Sequence, residues 1–104
     1  MNCQVILTAE AQNNLTAIKN PVLREQIIKK VDILAEYPES GKPLCGILSG
    51  YRSLRAARNR YRIIYKFLRN EDKVVVIAIG IRKGDDFSDV YRSLERIIKR
   101  VKVE

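Results

Sequence analysis

The sequence contains no histidine and only two cysteines among its 104 residues. Histidine is the side chain that most often transfers protons near neutral pH, and it is a ligand in many zinc sites. The cysteines, Cys3 and Cys45, are far apart in the sequence and fit no Cys-x-x-Cys pattern. The sequence therefore excludes histidine-dependent acid–base chemistry, and we expect neither a metal nor a cofactor.

Long apolar runs are missing as well. No segment approaches the roughly 18 apolar residues of a membrane-spanning helix, and the N-terminus lacks a basic stretch followed by an apolar one. We therefore expect a cytoplasmic protein without a membrane partner. With 46% hydrophobic residues, the chain suits a single domain over residues 1–104 that folds without a disulfide or a metal.

Acidic residues are absent from a long central segment. Between Gly41 and Arg69 the sequence has eight Lys and Arg and no Asp or Glu, so this segment accounts for the whole formal net charge of +8. One explanation is a solvated face on which arginine serves solubility. Because no acid interrupts these 29 residues, binding of a polyanion such as nucleic acid or an acidic protein segment is favoured.

Hydrophobic periodicity and turn residues predict an α+β domain with the element order β-α-α-β-β-β-α. Cys3 to Leu7 form a short strand, and two helices that begin after the N-caps Thr8 and Asn20 form a hairpin on one face of a sheet. Three further strands are joined by turns short enough to require an antiparallel β-meander. Ser88 is the expected N-cap of a C-terminal helix. The three strands are expected at residues 51–57, 60–68 and 73–82.

Alternation along these strands separates a core face from a basic face. In the second of the three strands, the core face is expected to carry Tyr61, Ile63, Tyr65 and Phe67, and the basic face Arg60, Arg62, Ile64 and Lys66. Arg55 joins the basic face from the preceding strand, whereas Arg52 shares the parity of the core residue Leu54.

The third strand is expected to place Val75, Ile77, Ile79 and Ile81 on one side and Val74, Val76, Ala78, Gly80 and Arg82 on the other. Small residues at 78 and 80 beside an arginine leave room for a ligand against the sheet. A phosphodiester suits this face, since guanidinium groups bind phosphate oxygens through paired, charge-assisted hydrogen bonds. They can also stabilise the extra negative charge of a pentacoordinate phosphate, although such clusters bind phosphates equally well without cleaving anything.

Three segments of the chain resemble toxins of the RelE/ParE superfamily, which belong to bacterial and archaeal toxin–antitoxin modules. They are Leu54-Arg55 followed by YRIIY (Tyr61 to Tyr65), AIGIR (Ala78 to Arg82) and DVY (Asp89 to Tyr91). The similarity extends through nearly the whole chain and is closer to the RelE branch. It implies a single RelE-like toxin domain.

The resemblance further implies a ribosome-dependent mRNA endoribonuclease that inhibits translation. Such a toxin cuts mRNA in the ribosomal A site without a metal, using the 2′-hydroxyl of the RNA as the nucleophile. By motif position, the resemblance implies catalytic roles for Arg62, Arg82 and Tyr91, although Tyr91 could equally be a packing residue of the last helix. The RNA-binding set that we expect is Arg52, Arg55, Arg58, Arg60, Lys66 and Lys83.

Two other functions stay open at the level of the sequence. One is a ParE-like inhibitor of DNA gyrase without catalytic activity, and the other is a degenerate member that binds only its antitoxin or RNA. Since gyrase inhibitors of this fold generally lack the set Arg62, Arg82 and Tyr91, its presence favours the endoribonuclease. The partners implied are the ribosome, mRNA and a cognate antitoxin with an acidic segment, which could form a hetero-oligomer with the toxin.

Overall fold

A computed structural model describes residues 2–81, which form two α-helices, five strands and two short 3-10 helices. The predicted α+β class is confirmed, whereas the predicted C-terminal helix and its N-cap Ser88 lie outside the described residues. The α-helices are α1 (Ala9–Thr16) and α2 (Pro21–Ile33). The strands are β1 (Gln4–Leu7), β2 (Lys42–Pro43), β3 (Tyr51–Ala56), β4 (Tyr61–Leu68) and β5 (Lys73–Ile81).

The strands form one sheet in the order β1-β5-β4-β3-β2. Strand β1 runs parallel to β5, and the other neighbouring pairs are antiparallel, as a meander requires. The sequence does not predict β2, because its Gly and Pro surroundings are typical of a turn. Lys42 nevertheless pairs with Ser53, and Pro43 pairs with Arg52. Proline is tolerated here because β2 is an edge strand, where a missing N–H removes no ladder bond to a further strand.

Both helices begin at the predicted N-caps. The Thr8 side chain accepts a hydrogen bond from the Ala11 backbone N–H at 3.2 Å, and its hydroxyl donates to the Ile77 carbonyl of β5 at 2.9 Å. The Asn20 side chain accepts from the N–H groups of Val22 and Leu23, which satisfies donors that no helical carbonyl can reach. Thr8 therefore caps α1 and also ties it to the sheet.

The main hydrophobic core lies between these helices and one face of the sheet. Tyr61, Ile63 and Tyr65 of β4 are buried in it, and Phe67 packs against it, as alternation along β4 predicts. The helices contribute Ala11, Ile27 and Val31, and the residues that follow them contribute Ile18 and Leu34. Each fully buried large apolar side chain contributes about 1.5–3 kcal/mol relative to exposure, so this layer fixes which face of the sheet is left for function.

Strand β5 does not alternate as predicted, because it contains a β-bulge. The register passes from Ile64 opposite Ala78 to Tyr65 opposite Val76, so Ile77 is an extra residue without a direct partner on β4. The bulge reverses the parity of the residues before it. Val74 and Val76 therefore lie in the main core with Ile79, and the prediction that Val75 and Ile77 share the face of Ile79 is wrong.

The face opposite the helices is partly covered by the chain itself. A second hydrophobic cluster forms there from Ile64, Ala78 and Leu48, with Leu44 and Tyr51 packed against it. Leu48 belongs to the segment between β2 and β3, which returns across this face. Ile64 therefore lies on the predicted face but is buried there, and the prediction that Ala78 leaves room for a ligand is wrong. Their exposed fractions are 0% and 5%.

Candidate nucleic-acid interface

The basic residues concentrate at the turn between β3 and β4. This turn comprises residues 57–60, so Arg60 lies in the turn and not at the start of a strand as predicted. Ala57, Arg58 and Asn59 have φ values of 51°, 56° and 70°. That left-handed region costs a residue with a side chain roughly 1–2 kcal/mol. Arg58, Asn59 and Arg60 are all exposed, so the turn presents two guanidinium groups to solvent.

Arg62 supports this turn from below. Its Nη1 donates hydrogen bonds to the carbonyls of Asn59 and Tyr61, both at 3.2 Å. Only 8% of Arg62 is exposed, and it is the one buried charged residue within residues 2–81. These bonds offset part of the strain of three consecutive left-handed residues and hold the turn in one conformation.

Arg55, Arg62 and Gly80 form one row across the face opposite the helices. Arg55 lies directly opposite Arg62 on β3, and Gly80 lies opposite Arg62 on β5. Arg55 is exposed, and Gly80, on the other side of Arg62, brings no side chain into the row.

Lys66 lies on the same face, four residues further along β4. Its ammonium lies 5.4 Å from the centroid of the Tyr51 ring, with which it pairs across β3 and β4. Lys42 shares this face, because it pairs with Ser53, whose partner on β4 is Ile64. Sequence reasoning did not select Lys42. Its place in the acid-free segment was visible, but its face depends on the unpredicted strand β2.

Arg52 lies on the other face of the sheet. It pairs with the core residue Tyr65, and its Nη1 donates to the carbonyls of Gly41 at 2.8 Å and Glu39 at 3.2 Å. The structure therefore separates Arg52 from Arg55 and gives it contacts in the segment that follows α2.

Carboxylates do not pair with the basic turn among the residues that the structure describes. The ion pairs in that range join Arg69 to Glu39 at 2.5 Å and Lys73 to Glu71 at 3.8 Å. Neither involves Arg55, Arg58 or Arg60, so their charge is available to a polyanion. Arg82, Lys83 and Tyr91, the remaining predicted site residues, lie outside residues 2–81.

Tyr65 is buried, and its hydroxyl group forms hydrogen bonds to the backbone. Its hydroxyl donates to the Pro38 carbonyl at 2.8 Å and accepts from the Gly41 N–H at 2.8 Å. Burial raises the pKa of Tyr65 above its usual value of 10.0, and the hydrogen bond from Gly41 and the charge of Arg52 oppose that shift. Because its proton is engaged on the helix side of the sheet, Tyr65 does not contribute to the basic face.

Neither a metal cluster nor a membrane span is found in residues 2–81. No three His, Cys, Asp or Glu side chains in that range come together as metal ligands. The described helices are too short or too polar to cross a bilayer.

Comparison with known proteins identifies relatives of the chain. Residues 5–86, more than half of the sequence, match the family described as ParE toxin of type II toxin–antitoxin system, parDE. No curated protein sequence matches the chain.

Solved structures of toxin–antitoxin proteins share the fold. The chain is 25% identical to a chain of the RelBE2 toxin–antitoxin complex from Mycobacterium tuberculosis, over 79% of this chain and 93% of that one, with a TM-score of 0.69. A mutant of E. coli RelE in the free state is 23% identical over 97% and 99% of the two chains, with a TM-score of 0.73. The archaeal RelE–RelB complex from Pyrococcus horikoshii gives 17% identity over 83% and 100%, with a TM-score of 0.62.

Proposed function

We propose that the chain, which belongs to the ParE toxin family of type II toxin–antitoxin systems within the RelE/ParE superfamily, is a toxin that cleaves mRNA on the ribosome, as its resemblance to the RelE branch implies. The observation that carries the proposal is the basic turn. Arg55 lies at one end of the sheet beside the turn that carries Arg58 and Arg60, and none of these three arginines forms an ion pair with a carboxylate of residues 2–81. A polyanionic backbone is the ligand that this arrangement fits best.

Cleavage in this proposal is an in-line attack within the RNA. The 2′-oxygen forms a bond to the adjacent phosphorus while the bond from phosphorus to the 5′-oxygen of the next nucleotide breaks. The 2′-hydroxyl loses its proton and the departing 5′-oxygen gains one. Guanidinium groups stabilise the charge that builds on the phosphate oxygens, and no metal is required for that step.

The roles proposed for individual residues follow the RelE resemblance. Arg62 and Arg82 stabilise the phosphate, and Arg62 also holds the turn through its hydrogen bonds to the carbonyls of Asn59 and Tyr61. Arginine does not release its proton at neutral pH, so we propose that the Tyr91 hydroxyl orients the 2′-hydroxyl or handles its proton. Lys66 and Lys83 complete the proposed RNA-binding set, to which the structure adds Lys42 as a candidate.

A second candidate function is inhibition of DNA gyrase without catalysis. The description of the matching family favours it, since that family is the ParE toxin. The contacts of Arg62 also favour it, because a guanidinium that donates to the carbonyls of Asn59 and Tyr61 has a structural task that requires no substrate.

The proposed partners are the ribosome, mRNA and an antitoxin with an acidic segment. The solved structures from Mycobacterium tuberculosis and Pyrococcus horikoshii are toxin–antitoxin complexes, which supports an antitoxin partner. The same proposal places the protein in the cytoplasm, where ribosomes are found, and allows a hetero-oligomer of toxin and antitoxin.

The test is to map mRNA 5′ ends in cells after brief induction, beside an assay for gyrase-linked DNA breaks. The proposal requires cuts within translated codons. Folded Arg62→Ala and Arg82→Ala variants should lose both the cuts and growth inhibition. Lys29→Ala, which removes an exposed charge from α2, should retain both. DNA breaks without codon-associated cuts would establish the second candidate instead.

A further inference from the structure

A cavity lies at the end of the sheet opposite the basic turn. Its volume is about 190 Å³. It opens where β3 begins and β4 ends, beside the edge strand β2. The residues that line it are Pro43, Gly50, Tyr51, Arg52, Phe67 and Arg69. Nothing in the proposed cleavage reaction uses this cavity.

The lining combines aromatic rings with cations. Two of the six residues are aromatic, two are arginines and none is acidic. Each ring also has a cation over it, Lys66 at 5.4 Å from the Tyr51 centroid and Arg69 at 5.4 Å from that of Phe67. Aromatic side chains interleaved with basic ones are typical of surfaces that bind single-stranded nucleic acid, where bases stack on rings or guanidinium planes.

The contacts of the basic side chains at the cavity do not neutralise its positive charge. Glu39 pairs with Arg69, and both side chains stay largely exposed. Arg52 donates to backbone carbonyls, which carry no formal charge, so its positive charge is not neutralised. Lys66 forms no ion pair among residues 2–81. An anionic ligand that carries a flat ring is therefore favoured over an apolar one.

The cavity also lies at a suitable distance from the basic turn. Tyr51 precedes Arg55 by four residues on β3, which corresponds to about 13 Å along an extended strand. Lys66 and Arg62 have the same spacing on β4 and face the same side. An RNA chain whose phosphates contact Arg55 would therefore also reach the cavity, and the nucleotide at the cavity would differ from the one that is cleaved.

We propose that this cavity is a nucleobase subsite, in which a base of the bound single-stranded RNA stacks against Tyr51 while Arg52, Lys66 and Arg69 attract its backbone. This inference rests on the proposed binding of RNA and adds a contact outside the cleavage site. In this proposal, Tyr51 contributes to RNA affinity only when bases are present, whereas Arg55 contributes through the phosphate backbone whether or not bases are present.

The experiment compares two labelled probes in fluorescence anisotropy, an oligouridylate 12-mer and a 12-mer of abasic ribose phosphates with the same charge. Stacking of one base contributes about 1–3 kcal/mol, so Tyr51→Leu should weaken binding of oligouridylate by about 10-fold. The abasic probe should bind the variant and the original protein equally. Tyr51→Phe, which keeps the ring, should restore binding of oligouridylate. Tyr37→Leu, which removes an aromatic side chain that is 63% exposed outside this cavity, is the matched control.

Tyr51 also packs against the second hydrophobic cluster, so circular dichroism must show that Tyr51→Leu is folded. If it is not, Tyr51→Met, which removes the ring but keeps a long apolar side chain against that cluster, takes its place with the same expected result. Equal weakening of both probes, or no weakening of either, would overturn the subsite, as would a polyglutamate probe that depends on Tyr51 as strongly as oligouridylate does. Failure of the proposed function is distinguishable, because neither RNA probe would then bind in a manner that depends on Arg55.

Discussion

At the scale of single residues, Gly41 and Tyr65 show how one contact fixes a segment. A Cβ atom at Gly41 would lie 2.7 Å from both the Cε1 and the hydroxyl oxygen of Tyr65, so only glycine allows the approach that the hydrogen bond requires. Arg52 binds the Gly41 carbonyl from another side. The segment between α2 and β2 is therefore held by side chains of β3 and β4, and not by secondary structure of its own.

Tyr65→Phe should change how the stability of the fold depends on pH. The pKa of Tyr65 is raised in the folded protein. The contribution of the Tyr65 hydroxyl to the free energy of unfolding is therefore fully present below pH 10, the pKa in the unfolded chain, and is lost as pH rises through the pKa in the folded protein. The variant leaves the buried Gly41 N–H and the half-buried Pro38 carbonyl without this partner, so it should be less stable by about 1–3 kcal/mol at pH 7. The difference should narrow above pH 10, as urea unfolding at a series of pH values would measure.

The control for this experiment is Tyr37→Phe, at a side chain that is 63% exposed, which should be as stable as the original protein at pH 7. A Tyr65→Phe difference that stays constant from pH 7 to pH 11 would show that the buried hydroxyl does not titrate with the fold.

Arg52→Ala should mainly lower the stability of the fold, whereas Arg55→Ala should mainly lower RNA affinity. The two residues are close in sequence, and both were expected to bind RNA. Arg52 bonds to the carbonyls of Glu39 and Gly41, so its loss should lower the free energy of unfolding by about 1–3 kcal/mol. It should also change RNA affinity less than the loss of Arg55 does. Arg55 is exposed and lacks an ion-pair partner in residues 2–81, so its loss should weaken RNA binding and leave stability within about 0.5 kcal/mol.

Urea unfolding and RNA anisotropy on the same two preparations would measure both quantities. A large loss of stability in Arg55→Ala, or the greater loss of RNA affinity in Arg52→Ala, would contradict the faces that the strand register assigns.

At the scale of secondary-structure elements, the sequence predicts β4 well and β5 poorly. Strict alternation places Tyr61, Ile63 and Tyr65 in the core, where the structure finds them. In β5 every residue from 74 to 79 is apolar. A bulge that changes which of these residues face the core therefore cannot be recognised from the hydrophobic pattern. The bulge at Ile77 is fixed by tertiary contacts, which local periodicity does not contain.

The candidate site divides in the same way. Charge composition and the absence of acids predict a basic surface around Arg55 and Arg58, and the register supports a common face for Arg55 and Arg62. The burial of Ile64 under Leu48 could not be predicted, because it depends on the path of a segment with no regular pattern of its own. The same segment created the cavity beside Tyr51.

Thr8→Ala should be costly because Thr8 connects two elements. Its side chain caps α1 at the Ala11 N–H and donates to the carbonyl of Ile77 at the bulge. Loss of an N-cap costs about 0.5–2 kcal/mol and an unsatisfied carbonyl adds about 1 kcal/mol or more, so the variant should lose about 2 kcal/mol of unfolding free energy. Thr8→Ser should retain most of the stability.

Thr16→Ala is the matched control, since Thr16 is exposed and its hydroxyl bonds only to the Gln12 carbonyl within the same helix. Chemical denaturation would rank the three variants. If Thr8→Ala and Thr16→Ala lose the same stability, the bond between Thr8 and β5 contributes nothing measurable.

At the scale of the whole molecule, the charge is divided along the chain and across the sheet. Residues 2–40, which include the helical hairpin, carry four basic and five acidic side chains, whereas residues 41–69 carry eight basic and none acidic. The helices cover one face, and most of the excess charge lies on the other face and at the turn that follows β3. A partner that inhibits the toxin must neutralise this region or compete with the polyanion that it attracts.

Association with the cognate antitoxin should therefore slow markedly as salt is added. Complementary charge raises association rates, and the Debye length falls from about 10 Å at 0.1 M salt to about 3 Å at 1 M. Stopped-flow association at these two salt concentrations should show a drop of about 10-fold or more for the original protein. A variant with Arg55→Glu and Arg58→Glu should associate slowly at both concentrations. A variant with Lys29→Glu and Lys30→Glu, which makes the same charge change on exposed positions of α2, should keep most of the salt dependence. If the two charge-reversal variants behave alike, net charge alone steers the antitoxin and the basic turn is not where it first docks.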